Sequence, residues 1–320
     1  MSNYPKIIST VNQILTDHEL CNYCLGRLFS KKLHLSSNKL LGKKLQKQQK
    51  HPQKCYICKN LFSNLNHYLK LMMDSSMNYS FLTFSVGCMI KPSIIDRDDY
   101  IRSKYKLKGI DSVKTDVTRE LGKLFSKKTK KIIDFLDPEI TFTINLKDEI
   151  CLLRSKSITV FGQYIKTLRN IHQKQKSCTN CHGKGCRLCD FHGISEYDSV
   201  EGVISKFLFK KFGGTTAKFT WIGGEDKSSL VLGTGRPFFA KIQNPKKRKL
   251  KLGSHTFDFL KINNLKIVIE SPKKPLKFNS FIKIKISTVS EIDSQNLKNL
   301  KNLKNSPIVI YEKSGKRSEK

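Results

Sequence analysis

The chain has 320 residues, with 60 Lys+Arg against 26 Asp+Glu and a formal net charge of +34. Its 38% hydrophobic and 9% aromatic content suits a folded protein of two or three domains and argues against a disordered one. No apolar run approaches the ~20 residues of a membrane span, and the first residues lack the apolar centre of a signal peptide, so a soluble, cytoplasmic protein with no membrane partner is expected.

An AT-rich coding bias would account for lysine over arginine, but not for so few acids. A basic surplus spread along the whole chain points to a polyanion as partner, nucleic acid above all.

In chain order, Ile7, Ile8, Val11, Ile14 and Leu15 recur at helical spacing and predict a helix over 5–20. A Cys-x-x-Cys pair, a polar lysine-rich helical stretch and a second pair follow. Leu61, Leu65, Tyr68, Leu69 and Met72 then predict another helix. Residues 80–88 alternate as a strand, and helices are expected near 97–106 and 111–126, the second with Val113, Val117, Leu121 and Leu124 on one face. Strands are expected at 139–146, 149–154 and 157–162. After a second cysteine-rich stretch come a helix beginning at Ser199, a strand over 215–223, a glycine-rich segment, the apolar run Arg236–Ile242 and a basic loop over 245–252. Strands at 265–270 and 280–287, a helix at 290–303 and a strand at 307–311 complete the pattern.

Eight of the ten cysteines form four Cys-x-x-Cys pairs: Cys21/Cys24, Cys55/Cys58, Cys178/Cys181 and Cys186/Cys189. Two such knuckles, each giving two thiolates from a tight turn, make a tetrahedral site of the structural zinc type. Cys21, Cys24, Cys55 and Cys58 fit one site. Cys178, Cys181, Cys186 and Cys189 fit another, the glycines of His182–Gly185 allowing the chain to reverse between them. His182 and His192 could substitute in the second, although a histidine beside a complete set of four cysteines is more often a surface residue. Neither set has the open, His/Glu-rich character of a hydrolytic zinc, so both are read as structural.

The segment Gly223-Gly224-Glu225-Asp226 precedes Leu232-Gly233-Thr234-Gly235-Arg236-Pro237-Phe238. It lacks the GK[ST] ending of a phosphate loop, and no GxGxxG opens a helix there. An Asp held near an Arg stays ionised, which suits a nucleophile or base and equally an ordinary structural ion pair.

The stretch GGEDKSSLVLGTGRPFFAKIQNPKKRKL resembles the signature of the archaeal tRNA pseudouridine synthases that act on uridines 54 and 55. Other segments match that family in order. CNYCLGRLF and CYICKNLF resemble its N-terminal zinc knuckles, and residues 80–160 its THUMP domain, an RNA-binding module. ITVFGQYIKTLRNIHQ resembles its Y-G-R-Y-x-K-x-x-R linker, CTNCHGKGCRLC a cysteine cluster of archaeal members, and SVEGVI the start of the catalytic domain. The likeness covers about 20–250 well and is thinner beyond.

It implies an α+β multidomain protein: a zinc module over 1–76, a THUMP-like domain over 77–170, a second four-cysteine cluster over 171–196 and a synthase-like catalytic domain with a mixed sheet over 197–320. It also implies tRNA as partner, uridine isomerisation without a small-molecule cofactor, and Asp226 as the catalytic carboxylate. Arg236 would brace the Asp226 loop or contact the flipped nucleotide. Tyr311 stands where the family places an active-site tyrosine, or is an edge-strand aromatic.

Gly224, Ser228 and Leu230 replace the family's Arg, Asp and Arg around this motif. Typical members also continue beyond the point matching Lys320; by that resemblance the catalytic core would be incomplete, through a reduced core in this lineage, a truncated sequence or a loss of catalysis. These departures leave a second reading open, a non-catalytic zinc/THUMP tRNA-binding protein. No methyl-donor or ATP-pyrophosphatase loop supports the other THUMP enzymes.

Overall fold

The computed structural model describes residues 4–33, 37–46, 54–108, 111–272, 281–283, 289, 291, 293–300, 309–311 and 317–319. Residues 1–275 form one compact unit and 276–320 another.

The first unit begins with α1 (Tyr4–Asp17), which buries Ile7, Val11 and Ile14 at helical spacing. Next come α2 (Asn22–Leu33) and α3 (Asn38–Leu45), the latter capped by the Ser37 hydroxyl on the Leu40 amide. These two helices touch backbone to backbone. A Cβ on Gly26 would lie 1.8 Å from the Asn38 carbonyl oxygen, and one on Gly42 would lie 1.9 Å from that of Asn22. The second knuckle and a 3₁₀ turn lead into α4 (Leu65–Ser76).

A four-stranded sheet follows, from β1 (Thr83–Met89), β2 (Ile132–Ile133), β3 (Ile140–Asn145) and β4 (Ile150–Ser155), in the order β2-β1-β3-β4. β1 runs parallel to β2 and β3, and β3 antiparallel to β4. The crossover carries α5 (Pro92–Lys104) and α6 (Val113–Thr129). α6 packs Val113, Val117, Leu121 and Phe125 inward, with Phe125 4.8 Å from Phe84 and 5.0 Å from Phe142 between ring centroids. One hydrophobic core runs from Ile7 to Leu146, so the cysteine-bearing helices and this sheet fold together. Within it Arg27 is fully buried and forms an ion pair with Asp98 on α5, which also binds Arg102 at 2.9 Å.

The second sheet contains β5 (Ile158–Lys166), β6 (Ala217–Trp221), β7 (Val231–Ile242), β8 (Gly253–Thr256) and β9 (Leu260–Val268), in the order β6-β7-β5-β9-β8. Every pairing in it is antiparallel. α7 (Val200–Phe212), capped by Ser199 and ended by Gly213, covers one face with Val200, Ile204, Leu208 and Phe212.

β5 differs from the sequence expectation. It was expected to close the THUMP-like module, yet it is the central strand of the second sheet. The cause is non-local. Phe161 pairs with Phe239 on one side and Lys266 on the other, and nothing within 158–166 announces which sheet those partners belong to.

The basic loop after β7 joins the two halves of this unit. The Ser80 amide donates to the Lys246 carbonyl at 2.7 Å, the Ser155 hydroxyl to that of Pro245 at 2.7 Å, and Arg248 to the Glu139 carbonyl at 3.0 Å and the Ser155 hydroxyl at 2.8 Å.

In the second unit, α8 (Ser294–Leu300) falls where a helix was expected, and β10 (Val309–Tyr311) pairs antiparallel with β11 (Arg317–Glu319). The strand expected over 280–287 lies largely outside the described residues. Among the described residues no helix is long and apolar enough to cross a membrane.

Candidate active site and metal centres

The Asp226 loop connects β6 to β7. It has no regular structure of its own, and a buried polar group built from β5 holds it in place. Tyr164 and Lys166 stand two residues apart on β5 and therefore share the inner face. Lys166 is fully buried, and its Nζ lies 2.9 Å from Glu225 Oε1, on a carboxylate only 1% exposed. The same ammonium donates to the Ile171 carbonyl at 3.0 Å and reaches the carbonyls of Asp226 and Lys227 at 3.5 Å. The Tyr164 hydroxyl donates to Glu225 Oε2 at 2.9 Å and accepts from Gln173 Nε2 at 2.9 Å. Burial first, and then the Glu225 charge, push the Tyr164 phenol upward, so it stays a donor.

Arg236 enters from β7. Its Nε lies 3.7 Å from Glu225 Oε2, and its Nη1 donates to the Ile222 carbonyl at 3.4 Å. Both contacts are with the segment that carries Asp226.

Asp226 faces outward. Its Oδ1 accepts from the Ser228 amide at 2.8 Å and from the Ser228 hydroxyl at 2.7 Å. The amide first, then the hydroxyl, hold its carboxyl below the usual carboxylate range, with Lys227 and Lys166 adding in the same direction. Gly224 and Asp226 are both exposed, and a Cβ placed on Gly224 would meet nothing within 4 Å. The arrangement presents one ionised carboxylate to solvent on a loop whose neighbouring carboxylate is locked inside.

The Gly233-Thr234-Gly235 run lies within β7 and serves a bulge against β5. Tyr164 pairs with Arg236, but Lys166 pairs with Val231, so β7 carries the extra residues. Gly235 has φ +88, and a Cβ there would stand 2.8 Å from the Tyr164 carbonyl oxygen. Arg236 follows directly after this bulge.

Tyr311 ends β10 in the second unit, and its side chain lies outside the described residues.

Both cysteine sets converge. In each, four sulfurs lie within 4.8 Å of one another. Cys21 and Cys58 Sγ are 3.7 Å apart, Cys186 and Cys189 3.7 Å, and Cys181 and Cys189 3.8 Å. A tetrahedral ion with bonds of about 2.3 Å to sulfur sets its thiolates about 3.8 Å apart, so both donor sets fit such an ion. Within the second set the Asn180 side-chain amide pulls the Cys186 thiol down to about 6, whereas burial pushes the Cys181 thiol up. His192, an alternative ligand by sequence, instead sets Nδ1 2.7 Å from the Thr215 carbonyl and stacks on Phe209 at 4.0 Å. The two clusters can each hold a metal ion.

Sequence reasoning singled out Asp226 and Arg236 and did not pick out the buried group of Glu225, Tyr164, Lys166 and Gln173 beside them. The available signal was the FGQYIKTLR motif, whose Tyr and Lys at i and i+2 share a strand face once that segment is read as part of this sheet.

Residues 68–145 match the family model of the archaeal Pus10 THUMP domain, and residues 159–316 that of the Pus10 C-terminal domain. The second match starts within β5, in keeping with that strand's place in the second sheet. The two matches define the class: a THUMP-bearing protein with a Pus10-type C-terminal domain. Across its whole length the chain is 69% identical to the tRNA pseudouridine synthase Pus10 of Nitrosopumilus maritimus, covering 84% of that protein. It is 33% identical to the Cenarchaeum symbiosum protein of the same name over 92% of the chain and 73% of the relative, and 29% identical to that of Methanosphaera stadtmanae over 87% and 73%. The chain belongs to the Pus10 family of tRNA pseudouridine synthases.

Proposed function

We propose that this chain isomerises uridine to pseudouridine in the T-arm of tRNA, at position 54, position 55 or both, with Asp226 as nucleophile. The observation that carries the reading is the exposed, hydrogen-bonded Asp226 carboxylate on a loop anchored from beneath by Glu225, in a chain of this family. The reaction detaches uracil from ribose, rotates it and rejoins it through carbon 5. Atoms are conserved and no redox partner is needed. Asp226 supplies the negative charge, its proton already lost at neutral pH. The target nucleotide leaves its stack to reach the carboxylate, and the basic surface holds the phosphates. Arg236 keeps the loop in place through Glu225 and the Ile222 carbonyl. Tyr311 is assigned a substrate contact, by resemblance alone.

The two cysteine clusters are assigned structural zinc. The sulfur spacing and the lack of a non-sulfur ligand in either set support this. No step of the reaction passes through these ions.

The test is incubation with an unmodified tRNA transcript followed by chemical mapping of pseudouridine. Product at positions 54 or 55 with the native chain is the expected result. Binding of tRNA with no pseudouridine at any position would instead favour the second reading, a tRNA-binding protein of the same architecture.

A further inference from the structure

We propose that Lys166 and Glu225 are positioning residues for the reaction, a buried pair whose task is to hold Asp226 in its outward orientation.

Glu225 turns its side chain inward and its chain neighbour Asp226 turns outward. Lys166 fixes Glu225 at 2.9 Å and at the same time lies 3.5 Å from the carbonyls of Asp226 and Lys227, so a single ammonium holds both the inward side chain and the backbone of the outward one. Tyr164 takes the second Glu225 oxygen and is itself fixed by Gln173, which leaves the carboxylate little freedom to rotate. Two consecutive acids thus receive opposite environments: one paired in the interior, the other ionised at the surface.

A pair with side chains 0% and 1% exposed is an inefficient way to gain stability, because desolvation offsets most of the attraction, and a matched apolar pair would serve as well. What an apolar pair would not supply is an ammonium reaching the Asp226 and Lys227 carbonyls. Loop closure alone therefore does not account for the choice of residues.

The inference rests on Asp226 being the reacting carboxylate, and its test has a readout that does not depend on activity. Lys166→Met takes from the buried Glu225 carboxylate its closest cation and is expected to lower the melting temperature. The double variant Lys166→Met/Glu225→Gln removes both charges, keeps the volumes and keeps an acceptor for Tyr164, so its melting temperature should return towards that of the parent. If the pair only stabilises the fold, activity returns as well. If it positions Asp226, the single-turnover rate of the double variant stays down by about a hundredfold, the cost typical of a small misplacement of a reacting group, with KM nearly unchanged.

Hydrogen exchange supplies the independent readout. The Ser228 amide binds Asp226 Oδ1 at 2.8 Å and the Ser229 amide binds the Asp226 carbonyl at 3.0 Å. Faster exchange at these two amides in the double variant, with the β5 amides unchanged, is expected whether or not the chain is active on the tRNA tested. A double variant with parental rate and parental exchange at Ser228 and Ser229 would overturn the proposal. A native chain that makes no pseudouridine yet shows the exchange change would refute the catalytic reading alone.

Discussion

Asp226 and Glu225 differ by one methylene and one position, yet their surroundings separate them fully. Glu225 has lost its water and gained Lys166, Tyr164 and Arg236. Asp226 keeps its water and gains two donors from Ser228. The consequence for pH is direct. Donors to the charged form lower the Asp226 pKa, so the carboxylate is ionised at every pH above its ordinary value and its hydrogen bonds weaken only as the pH falls through the lowered one. A rate profile between about pH 5 and 8 should therefore show no acid limb from Asp226, and single-turnover rates across that range check this. Tyr164→Phe tests the anchor from another side. It removes the donor to Glu225 Oε2 and the acceptor for Gln173 at a buried site, for which about 1–3 kcal/mol of lost stability is expected in a denaturant titration.

At the scale of elements, much of the fold could be read directly from periodicity. α6 and α7 bury residues four apart, β3 alternates through Ile140, Phe142 and Ile144, and each lies close to where its pattern places it. The glycines of β7 were legible only in part: the missing GK[ST] ending argues against a phosphate loop, but the bulge shows only in the pairing with β5 and in the approach of the Tyr164 carbonyl. β5 was likewise hidden, since its partners are far along the chain.

The cysteine sets were legible from spacing alone, and their surroundings now separate them. Cys24, Cys55 and Cys58 are buried in the first core, whereas Cys181 and Cys186 of the second set are partly exposed. Titration with a chelator should release metal in two stages, the second cluster first. Metal analysis of the native chain should give about two zinc ions per molecule, and a chain without bound metal would contradict the tetrathiolate assignment.

At the scale of the whole molecule, the charge of +34 foretold a polyanionic partner, but it did not reveal which cations are free to meet one. Arg248, in the most basic run of the chain, is turned onto Glu139 and Ser155 and helps to hold the first sheet against the second. Arg248→Ala should consequently lower the melting temperature of residues 1–275 as well as affecting RNA binding, whereas loss of a solvent-facing lysine should change only the affinity and its salt dependence. Calorimetry alongside tRNA binding at two salt concentrations distinguishes these cases. The resemblance carried the function further than composition did. It selected Asp226 from 26 acidic residues, while the structure supplied the reason that this carboxylate faces outward.

The proposed function rests on the Asp226 charge. The most direct test is single-turnover conversion of T-arm uridine by Asp226→Asn. This variant keeps the shape of the side chain and an oxygen to accept from Ser228, so the loop should hold its geometry and tRNA affinity should be preserved. A rate at least about a thousandfold below that of the native chain is expected. A rate within about tenfold of the native value, at equal tRNA occupancy, would mean that the reaction does not need the Asp226 charge.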